Sequence, residues 1–370
     1  MKFSSIFLLQ HHLVVLLVLT LTGSGWSQTT ENTAAIAAQA LLDQAVANHQ
    51  FAGIAAGFAT ADTILWAGAA GYRDVQAAEP FLPTTITRMA SIAKTLTAVA
   101  VLQLYERGLV DLDAPIQTYL PEFPRKPQGE ITTRQLLQHR SGIGGYASGK
   151  EAESQVDYPT TAAAAAVFQD RDLVSVPGQE YQYSTYGYVV LGMLIERVSG
   201  QSYAAFLQEN IWNKAGMQHT GVAQFGQPQP GQTHLYARSK KGKIKAAQEN
   251  NLSSRIPGGG LYTCVGDLLR FGQAILNDAL LAPATRALLF TDPGVDTKQN
   301  PYGMGWFLYG DNPNYGPVYG HSGEQTGAAA QLMLLPEQHA VIVVMANTSQ
   351  TWRDVFQLSV QLFPLAAGAE

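Results

Sequence analysis

The chain has 370 residues, of which 46% are hydrophobic and 14% are charged, and its formal net charge is -5. That length and composition predict one large folded domain or two smaller ones and exclude an intrinsically disordered chain. The charges form no basic arm or stripe, so nothing indicates a nucleic-acid surface. The single cysteine, Cys264, allows no intramolecular disulfide and has no metal-ligand spacing to histidine, so we expect a small core residue and no metal site.

The N-terminus has the pattern of a secretory signal peptide. Lys2 forms a short basic region, residues 13–21 form an apolar run, and the small residues Gly25 and Ser27 precede Gln28. The run is too short to span a bilayer comfortably. We therefore expect residues 1–27 to be removed and the mature chain to be exported, periplasmic or extracellular, with no stable membrane anchor. An uncleaved signal anchor is the alternative.

The first half of the mature chain begins with a helix and a hairpin. Residues 34–48 have helical periodicity, and residues 51–60 and 63–72 are predicted to be strands joined by a turn at Ala61-Asp62. Residues 87–108 have apolar residues at helical spacing and end at Gly108, which predicts one long helix. Shorter helices are predicted at 131–139, 161–168, 186–198, 202–213 and 267–276. Residues 223–257 lack periodicity, which predicts an excursion over the surface.

The chain then returns to strands. Residues 303–309 predict a strand, residues 328–335 and 340–346 predict a hairpin, and residues 352–363 predict a closing helix. Strands at both ends and helices in the middle predict an α+β fold, with a mostly antiparallel central sheet built from N- and C-terminal segments and flanked by helices. We expect a single domain over residues 28–370, with its sheet part over about 34–86 and 295–370 and an inserted, mainly helical lobe over about 87–294.

The first candidate site is Ser91-Ile92-Ala93-Lys94 at the start of the long predicted helix. Residues three apart share a helix face, so the Ser91 hydroxyl and the Lys94 amine should lie one turn from each other. The positive end of the helix dipole favours an oxyanion near Ser91, and a buried lysine of lowered pKa can accept the hydroxyl proton. Taken alone, this short pattern is better explained by a capping serine and a solvent-facing lysine.

Two further segments carry candidate residues. Tyr183, in Tyr183-Ser184-Thr185, precedes a predicted helix, where a helix dipole and a nearby lysine would favour a phenolate that acts as a base. Gly320-His321-Ser322-Gly323-Glu324 precedes an apolar strand, and Gly323 would let a ligand approach the backbone closely. Each segment alone also fits a structural role, as a packed tyrosine ring or as a turn before a strand.

Together the three segments resemble the serine beta-lactamase and penicillin-binding-protein superfamily, on its class C and esterase side. Ser91-Ile92-Ala93-Lys94 is similar to the nucleophile motif of that superfamily, Tyr183-Ser184-Thr185 to its Tyr-x-Asn motif and His321-Ser322-Gly323 to its Lys-Thr-Gly motif. The framework resembles the mitochondrial beta-lactamase-like subgroup, and the resemblance covers about residues 35–365. With a signal-like N-terminus, this suggests a bacterial relative.

The resemblance implies roles for these residues. Ser91 would attack a carbonyl and form an acyl-enzyme, and Lys94 and Tyr183 would transfer the protons. The backbone N–H groups of Ser91 and Glu324 would form the oxyanion hole. Thr185, His321, Ser322 and Gly323 would contact a small-molecule or peptide substrate, with no cofactor and no metal. The oligomeric state is not predicted.

Two departures from the family pattern refine the expected function. Thr185 replaces an amide donor, and His321 replaces a fixed lysine cation by a group that is only partly charged near neutrality. Both changes favour an esterase or peptidase-like hydrolase over an efficient beta-lactamase. A D-Ala-type cell-wall peptidase or beta-lactamase remains an alternative, as does a non-catalytic binding or assembly protein on the same fold.

Overall fold

A seven-stranded antiparallel sheet forms the centre of the protein, whose computed structural model describes residues 25–294 and 301–368, with side chains from residue 33 onwards. The predicted signal peptide therefore lies outside the described residues, apart from its last three positions. Those three residues belong to the first helix. In the described part of the chain, no helix combines the length and the apolarity that crossing a membrane requires.

The sheet combines strands from both ends of the chain, as predicted. Its order is β3-β2-β1-β12-β11-β10-β9, and each neighbouring pair is antiparallel. Two three-stranded sheets, β13-β6-β7 and β4-β8-β5, lie outside it. The strands are β1 Gly53–Thr60, β2 Ile64–Asp74, β3 Glu79–Pro80, β4 Thr87–Arg88, β5 Gly221–Val222, β6 Tyr236–Arg238, β7 Ile244–Ala246, β8 Leu261–Thr263, β9 Phe307–Asn312, β10 Gly316–Gln325, β11 Ala328–Leu335, β12 Ala340–Ala346 and β13 Thr348–Ser349.

Helices cover both faces of the sheet. The described helices are α1 Gly25–Ala47, α2 Ala93–Glu106, α3 Thr133–Leu137, α4 Gly149–Ala152, α5 Thr161–Ala165, α6 Thr185–Ser199, α7 Tyr203–Leu207, α8 Asn213–Ala215, α9 Ile256–Gly259, α10 Val265–Leu276, α11 Pro283–Leu289, α12 Trp352–Gln361 and α13 Phe363–Ala367. Apolar residues of α1, α12 and α13 pack on one face. Those of α2, α6 and α10 pack on the other.

The predicted hairpin of β11 and β12 is confirmed and explains the continuous apolar runs there. Leu335 pairs with Ala340, and His339 takes φ 48° in the turn between the strands. Along β12, Val341 and Val343 face the core that contains α2, whereas Ile342 and Val344 face the core that contains α1. A strand covered on both faces needs apolar residues at every position, which is why these strands show no polar alternation.

Some predicted elements differ from the structure, among them the strand predicted over residues 303–309, which instead covers Phe307–Asn312. The helix predicted over residues 87–108 begins only at Ala93, because Thr87–Arg88 pairs with β8 and Ala90–Ile92 forms a 3₁₀ turn. The prediction that residues 223–257 run over the surface is wrong at their C-terminal end. Asn250, Asn251 and Arg255 are buried there and donate hydrogen bonds to neighbouring segments.

Candidate active site

Ser91 lies in a tight turn between a short strand and a long buried helix. The 3₁₀ turn Ala90–Ile92 connects β4 to α2. Ala90 has φ 50°, a left-handed conformation that costs a residue with a Cβ on the order of 1 kcal/mol or more. Such strain persists only where surrounding packing maintains it, and here it directly precedes a serine that lines a cavity.

Lys94 is fully buried one turn after Ser91. Its Nζ donates a hydrogen bond to the Gly258 carbonyl oxygen at 2.6 Å. The same nitrogen lies 3.2 Å from Ser91 Oγ and 3.4 Å from Thr185 Oγ1. The predicted proximity of the Ser91 hydroxyl and the Lys94 amine is therefore present, and the alternative of a solvent-facing lysine does not apply.

The surroundings of Lys94 favour a neutral amine. Burial lowers its pKa well below the usual lysine value, and the positive charge of Arg255 lowers it further. In the described residues, no carboxylate forms an ion pair with Lys94. A neutral amine keeps a lone pair, so Lys94 is able to accept a proton from a hydroxyl at hydrogen-bond distance.

Tyr183 also contacts Ser91, and its hydroxyl hydrogen-bonds to the serine. Burial raises its pKa well above the usual tyrosine value, although the Ser91 hydrogen bond partly opposes the shift. The expected phenolate is therefore wrong for the resting protein, because desolvation of the phenol outweighs the nearby dipole and amine. Tyr183 is a neutral phenol whose ring lies 4.9 Å from Lys94 Nζ.

The start of α6 positions Tyr183 and Thr185. Ser184 is its N-cap, with a side chain that accepts from the Gly187 N–H, and its own N–H donates to His139 Nδ1 at 3.1 Å. The buried His139 ring packs on Tyr183 at 4.1 Å between centroids. Burial lowers the pKa of His139 well below the usual value. This neutral imidazole fixes the second candidate segment, and the sequence reasoning did not single it out.

His321 differs from its predicted role. It is fully buried within β10, where its Nδ1–H donates to the Ser322 carbonyl at 2.6 Å and its Nε2 accepts from the Tyr302 hydroxyl at 2.9 Å. Burial is the main cause that lowers its pKa to about 3. The expectation of a partly charged group at this position is therefore corrected, since His321 is neutral at physiological pH.

Strand β10 brings Gly323 and Glu324 beside the nucleophile turn. β9 pairs only with the first half of β10, so the second half presents its outer edge to this turn. A Cβ on Gly323 would lie 2.5 Å from the Met89 carbonyl oxygen and 3.1 Å from the Ser91 nitrogen. Only glycine allows this approach. The oxyanion role of the Glu324 N–H stays a prediction that this packing supports.

A cavity of about 270 Å³ contains the candidate nucleophile. Its lining residues are Ser91, Gly145, Tyr146, Tyr183, Thr185, Arg255, Gly258, Gly259, Glu324 and Gln325. Of the predicted substrate-binding residues, Thr185 lines the cavity, whereas His321, Ser322 and Gly323 do not, and Ser322 instead hydrogen-bonds to Tyr309. Within the described residues, no group of three or more His, Cys, Asp or Glu side chains is placed to bind a metal ion.

Several lining residues were missed by the sequence reasoning. Tyr146 comes from a loop and Arg255 from the 3₁₀ turn Ser253–Arg255, and no local pattern connects either residue to Ser91. The glycine run at 258–260 was a usable signal, because three consecutive glycines allow a close approach of backbone, and the Gly258 carbonyl does accept from Lys94.

Comparisons with known proteins identify the family. The family model described as Beta-lactamase matches residues 38–362. The chain belongs to the beta-lactamase family. It is similar to the mitochondrial serine beta-lactamase-like protein LACTB of Bos taurus, with 28% identity over 384 residues that cover 77% of this chain and 69% of that protein. It is also similar to Penicillin-binding protein 4* of Bacillus subtilis (strain 168), with 27% identity over 335 residues that cover 84% and 71%.

A solved structure supports the same assignment. The D-stereospecific amidohydrolase from Streptomyces sp. superimposes with a TM-score of 0.75 at 26% identity, over 88% of this beta-lactamase family member and 97% of that chain. The family resemblance and the α+β fold predicted from the sequence are thus confirmed. This family and fold comprise serine hydrolases, including peptidases, amidases and esterases.

The Gly323→Ala substitution tests the contact between β10 and the nucleophile turn. The new methyl group would overlap the Met89 carbonyl, so the strand and the Ser91 backbone must separate. We expect kcat/KM for p-nitrophenyl butyrate to fall about 100-fold, since a misplacement near 1 Å has that effect. Gly149→Ala, at an exposed glycine with open space around its Cβ position, is the control. Equal activity of both variants would contradict the contact.

Stability measurements on Lys94→Met test the neutral amine. Unfolded lysine binds a proton up to about pH 10.4, whereas the folded protein lowers the pKa of Lys94 well below that range. Between those pKa values the unfolded wild type binds one proton more than the folded one. Its stability should therefore rise with pH relative to the variant, by at most ~1.4 kcal/mol per pH unit.

Chemical denaturation between pH 7.5 and 9.5 measures this difference above the titration range of histidine. Lys243→Met, at an exposed lysine, is the matched control and should keep the pH slope of the wild type. If the stability of Lys94→Met ran parallel to that of the wild type, Lys94 would be charged in the folded protein and the assignment would fail.

Proposed function

We propose that this protein is a serine hydrolase that cleaves an ester or an amide through an acyl-enzyme on Ser91. The observation that carries the proposal is the 3.2 Å separation between Ser91 Oγ and the buried Lys94 Nζ. A lysine amine of lowered pKa beside a serine hydroxyl is a general base next to a nucleophile. The family assignment supports the same chemistry.

The acylation step follows from this geometry. Lys94 accepts the hydroxyl proton while Ser91 Oγ forms a bond to the substrate carbonyl carbon. The carbonyl oxygen takes the negative charge, and the N–H groups of Ser91 and Glu324 donate to it. Collapse of this intermediate breaks the bond to the leaving group. The proton held by Lys94 returns to that group, with the neutral phenol of Tyr183 as the relay.

Deacylation uses the same residues in reverse. A water molecule attacks the acyl carbonyl and loses a proton to Lys94, again with Tyr183 beside the transfer. The ester bond to Ser91 then breaks, and its oxygen regains the proton. This cycle needs a base that is neutral before each attack, which the lowered pKa of Lys94 provides.

The substrate preference follows from the third motif. A neutral, buried His321 supplies no cation at the position where a penicillin carboxylate would be bound by a lysine. We therefore propose that small esters are hydrolysed faster than penicillins. The amidohydrolase similarity supports amides as a second substrate class.

Ser91→Ala tests the proposed nucleophile. The loss of one hydroxyl should leave folding nearly intact and abolish hydrolysis of p-nitrophenyl butyrate, because the acyl-enzyme has no oxygen to form on. Intact-mass analysis after incubation with a fluorophosphonate should show an adduct on the wild type and on the control Ser239→Ala, an exposed serine, but none on Ser91→Ala. An adduct that persists on Ser91→Ala would reject the assignment. A folded wild type without adduct or turnover would favour a non-catalytic binding protein.

We also propose that the mature chain is exported. The support for export is the sequence pattern alone, with Lys2, the apolar residues 13–21 and a cleavage site before Gln28. Sequencing of the protein isolated from the producing cell should give Gln28 as the first residue. A retained Met1 on membrane-bound protein would contradict cleavage, and recovery from the cytosol would contradict export.

A further inference from the structure

Arg255 is a buried cation in the wall of the cavity that contains Ser91. It is the last residue of the 3₁₀ turn Ser253–Arg255, immediately before α9, and only 5% of its surface is exposed to solvent. The short distance in sequence to Gly258 places it on the segment whose carbonyl accepts from Lys94. Nothing in the proposed acylation and deacylation steps uses this side chain.

The guanidinium has hydrogen bonds but no counterion. One Nη2–H donates to the Ala152 carbonyl, the side chain also hydrogen-bonds to the Tyr146 hydroxyl, and the group lies over the Tyr146 ring at 4.8 Å. Its Nε is buried and has no hydrogen-bond partner. Across residues 33–294 and 301–368, no carboxylate comes within ion-pair distance of Arg255. A buried charge is normally paired, so this one lacks the partner that its burial requires.

Arg88 is a second buried arginine in the same region, and its contacts are those of a structural residue. It is also buried, but it pairs with Glu249 at 3.5 Å and donates to Asn250 Oδ1 at 2.6 Å. It does not line the cavity. Arg255 differs from Arg88 in both respects, because it lacks a carboxylate and faces the space that a substrate would occupy.

The remaining charges of the cavity do not neutralise Arg255. Glu324 lines the same cavity, but its carboxylate accepts a hydrogen bond from the Thr351 N–H at 3.0 Å. Lys94 favours the neutral amine, and His321 is neutral. Apart from the Glu324 carboxylate, the charge that the cavity wall presents is therefore the positive charge of Arg255, whose planar N–H donors fit a carboxylate.

We propose that Arg255 is a specificity-determining residue that binds a carboxylate carried by the substrate. The inference rests on the proposed hydrolase function and names its substrate class as esters or amides with a carboxylate that reaches Arg255, a position different from the one that a penicillin carboxylate would take at the third motif. The cation of the cavity is then Arg255, which lies on a different segment from the third motif. At the third motif, the neutral His321 provides no cation. The carboxylate belongs either to the acyl chain or to the leaving group, and the experiment separates the two sources.

Three esters test the proposal on the full mature chain. They are the neutral p-nitrophenyl butyrate, mono-p-nitrophenyl glutarate with a carboxylate on the acyl chain, and 3-carboxyphenyl butyrate with a carboxylate on the leaving group. The readout is kcat/KM for each anionic ester divided by kcat/KM for the neutral ester. We expect Arg255→Gln to lower one of these ratios roughly 10- to 100-fold, because a charge-assisted hydrogen bond is lost.

The ratio separates substrate binding from an effect on Lys94. Loss of the Arg255 charge would also raise the pKa of Lys94, but that change acts on all three esters and cancels in the ratio. Arg255→Lys keeps a charge without the planar donor pair, so its ratio should lie between those of the wild type and Arg255→Gln. This variant also keeps the test valid if Arg255→Gln does not fold. Arg88→Gln removes a neighbouring buried cation outside the cavity and should keep the wild-type ratio.

The outcomes distinguish this proposal from the proposed function. Turnover of the neutral ester by the wild type, with ratios unchanged in Arg255→Gln and Arg255→Lys, would overturn the role of Arg255 and leave the hydrolase intact. An equal fall for all three esters would assign Arg255 to the pKa of Lys94 and overturn the substrate role. No turnover of any ester by the folded wild type would instead contradict the hydrolase itself.

Discussion

The burial of Lys94 is the constraint on which the candidate site depends. A lysine without solvent and without a carboxylate partner is costly when charged, so its burial lowers its pKa and favours the neutral amine beside the serine hydroxyl. The contacts that keep it there come from distant parts of the chain, namely the Gly258 carbonyl and the Thr185 hydroxyl. Helix α2, the start of α6 and the segment around Gly258 therefore exclude solvent from the Lys94 Nζ atom.

The same burial explains the protonation states of the neighbouring groups. Desolvation raises the pKa of Tyr183 and lowers the pKa values of His139 and His321, so three groups that are able to carry charge are neutral. Among the groups near the cavity, Lys94 is therefore the proposed base, and Arg255 is the buried cation. A site of this kind strengthens each remaining electrostatic contact, since little water screens it.

The sequence was sufficient to predict most helices and strands, and also the proximity of residues that lie close together in the chain. Helical spacing predicted the proximity of Ser91 and Lys94, and apolar runs predicted the hairpin of β11 and β12. The burial of His321 was not predictable, because it depends on the packing of Tyr302 and on a strand edge formed late in the chain. Arg255 was missed for a similar reason. The segment that contains it has no periodicity, and only the folded chain places Arg255 in the wall of the Ser91 cavity.

A direct titration of Lys94 shows whether the buried side chain is a neutral amine. Selective ¹³C labelling of the lysine side chains allows the Cε resonance of Lys94 to be followed by NMR from pH 6 to 11, with Lys94→Met for its assignment. We expect this resonance to titrate well below the usual lysine pKa of about 10.4, while those of exposed lysines titrate near it. A Lys94 resonance that titrates together with the exposed lysines would show a charged ammonium at neutral pH and would contradict its role as the base.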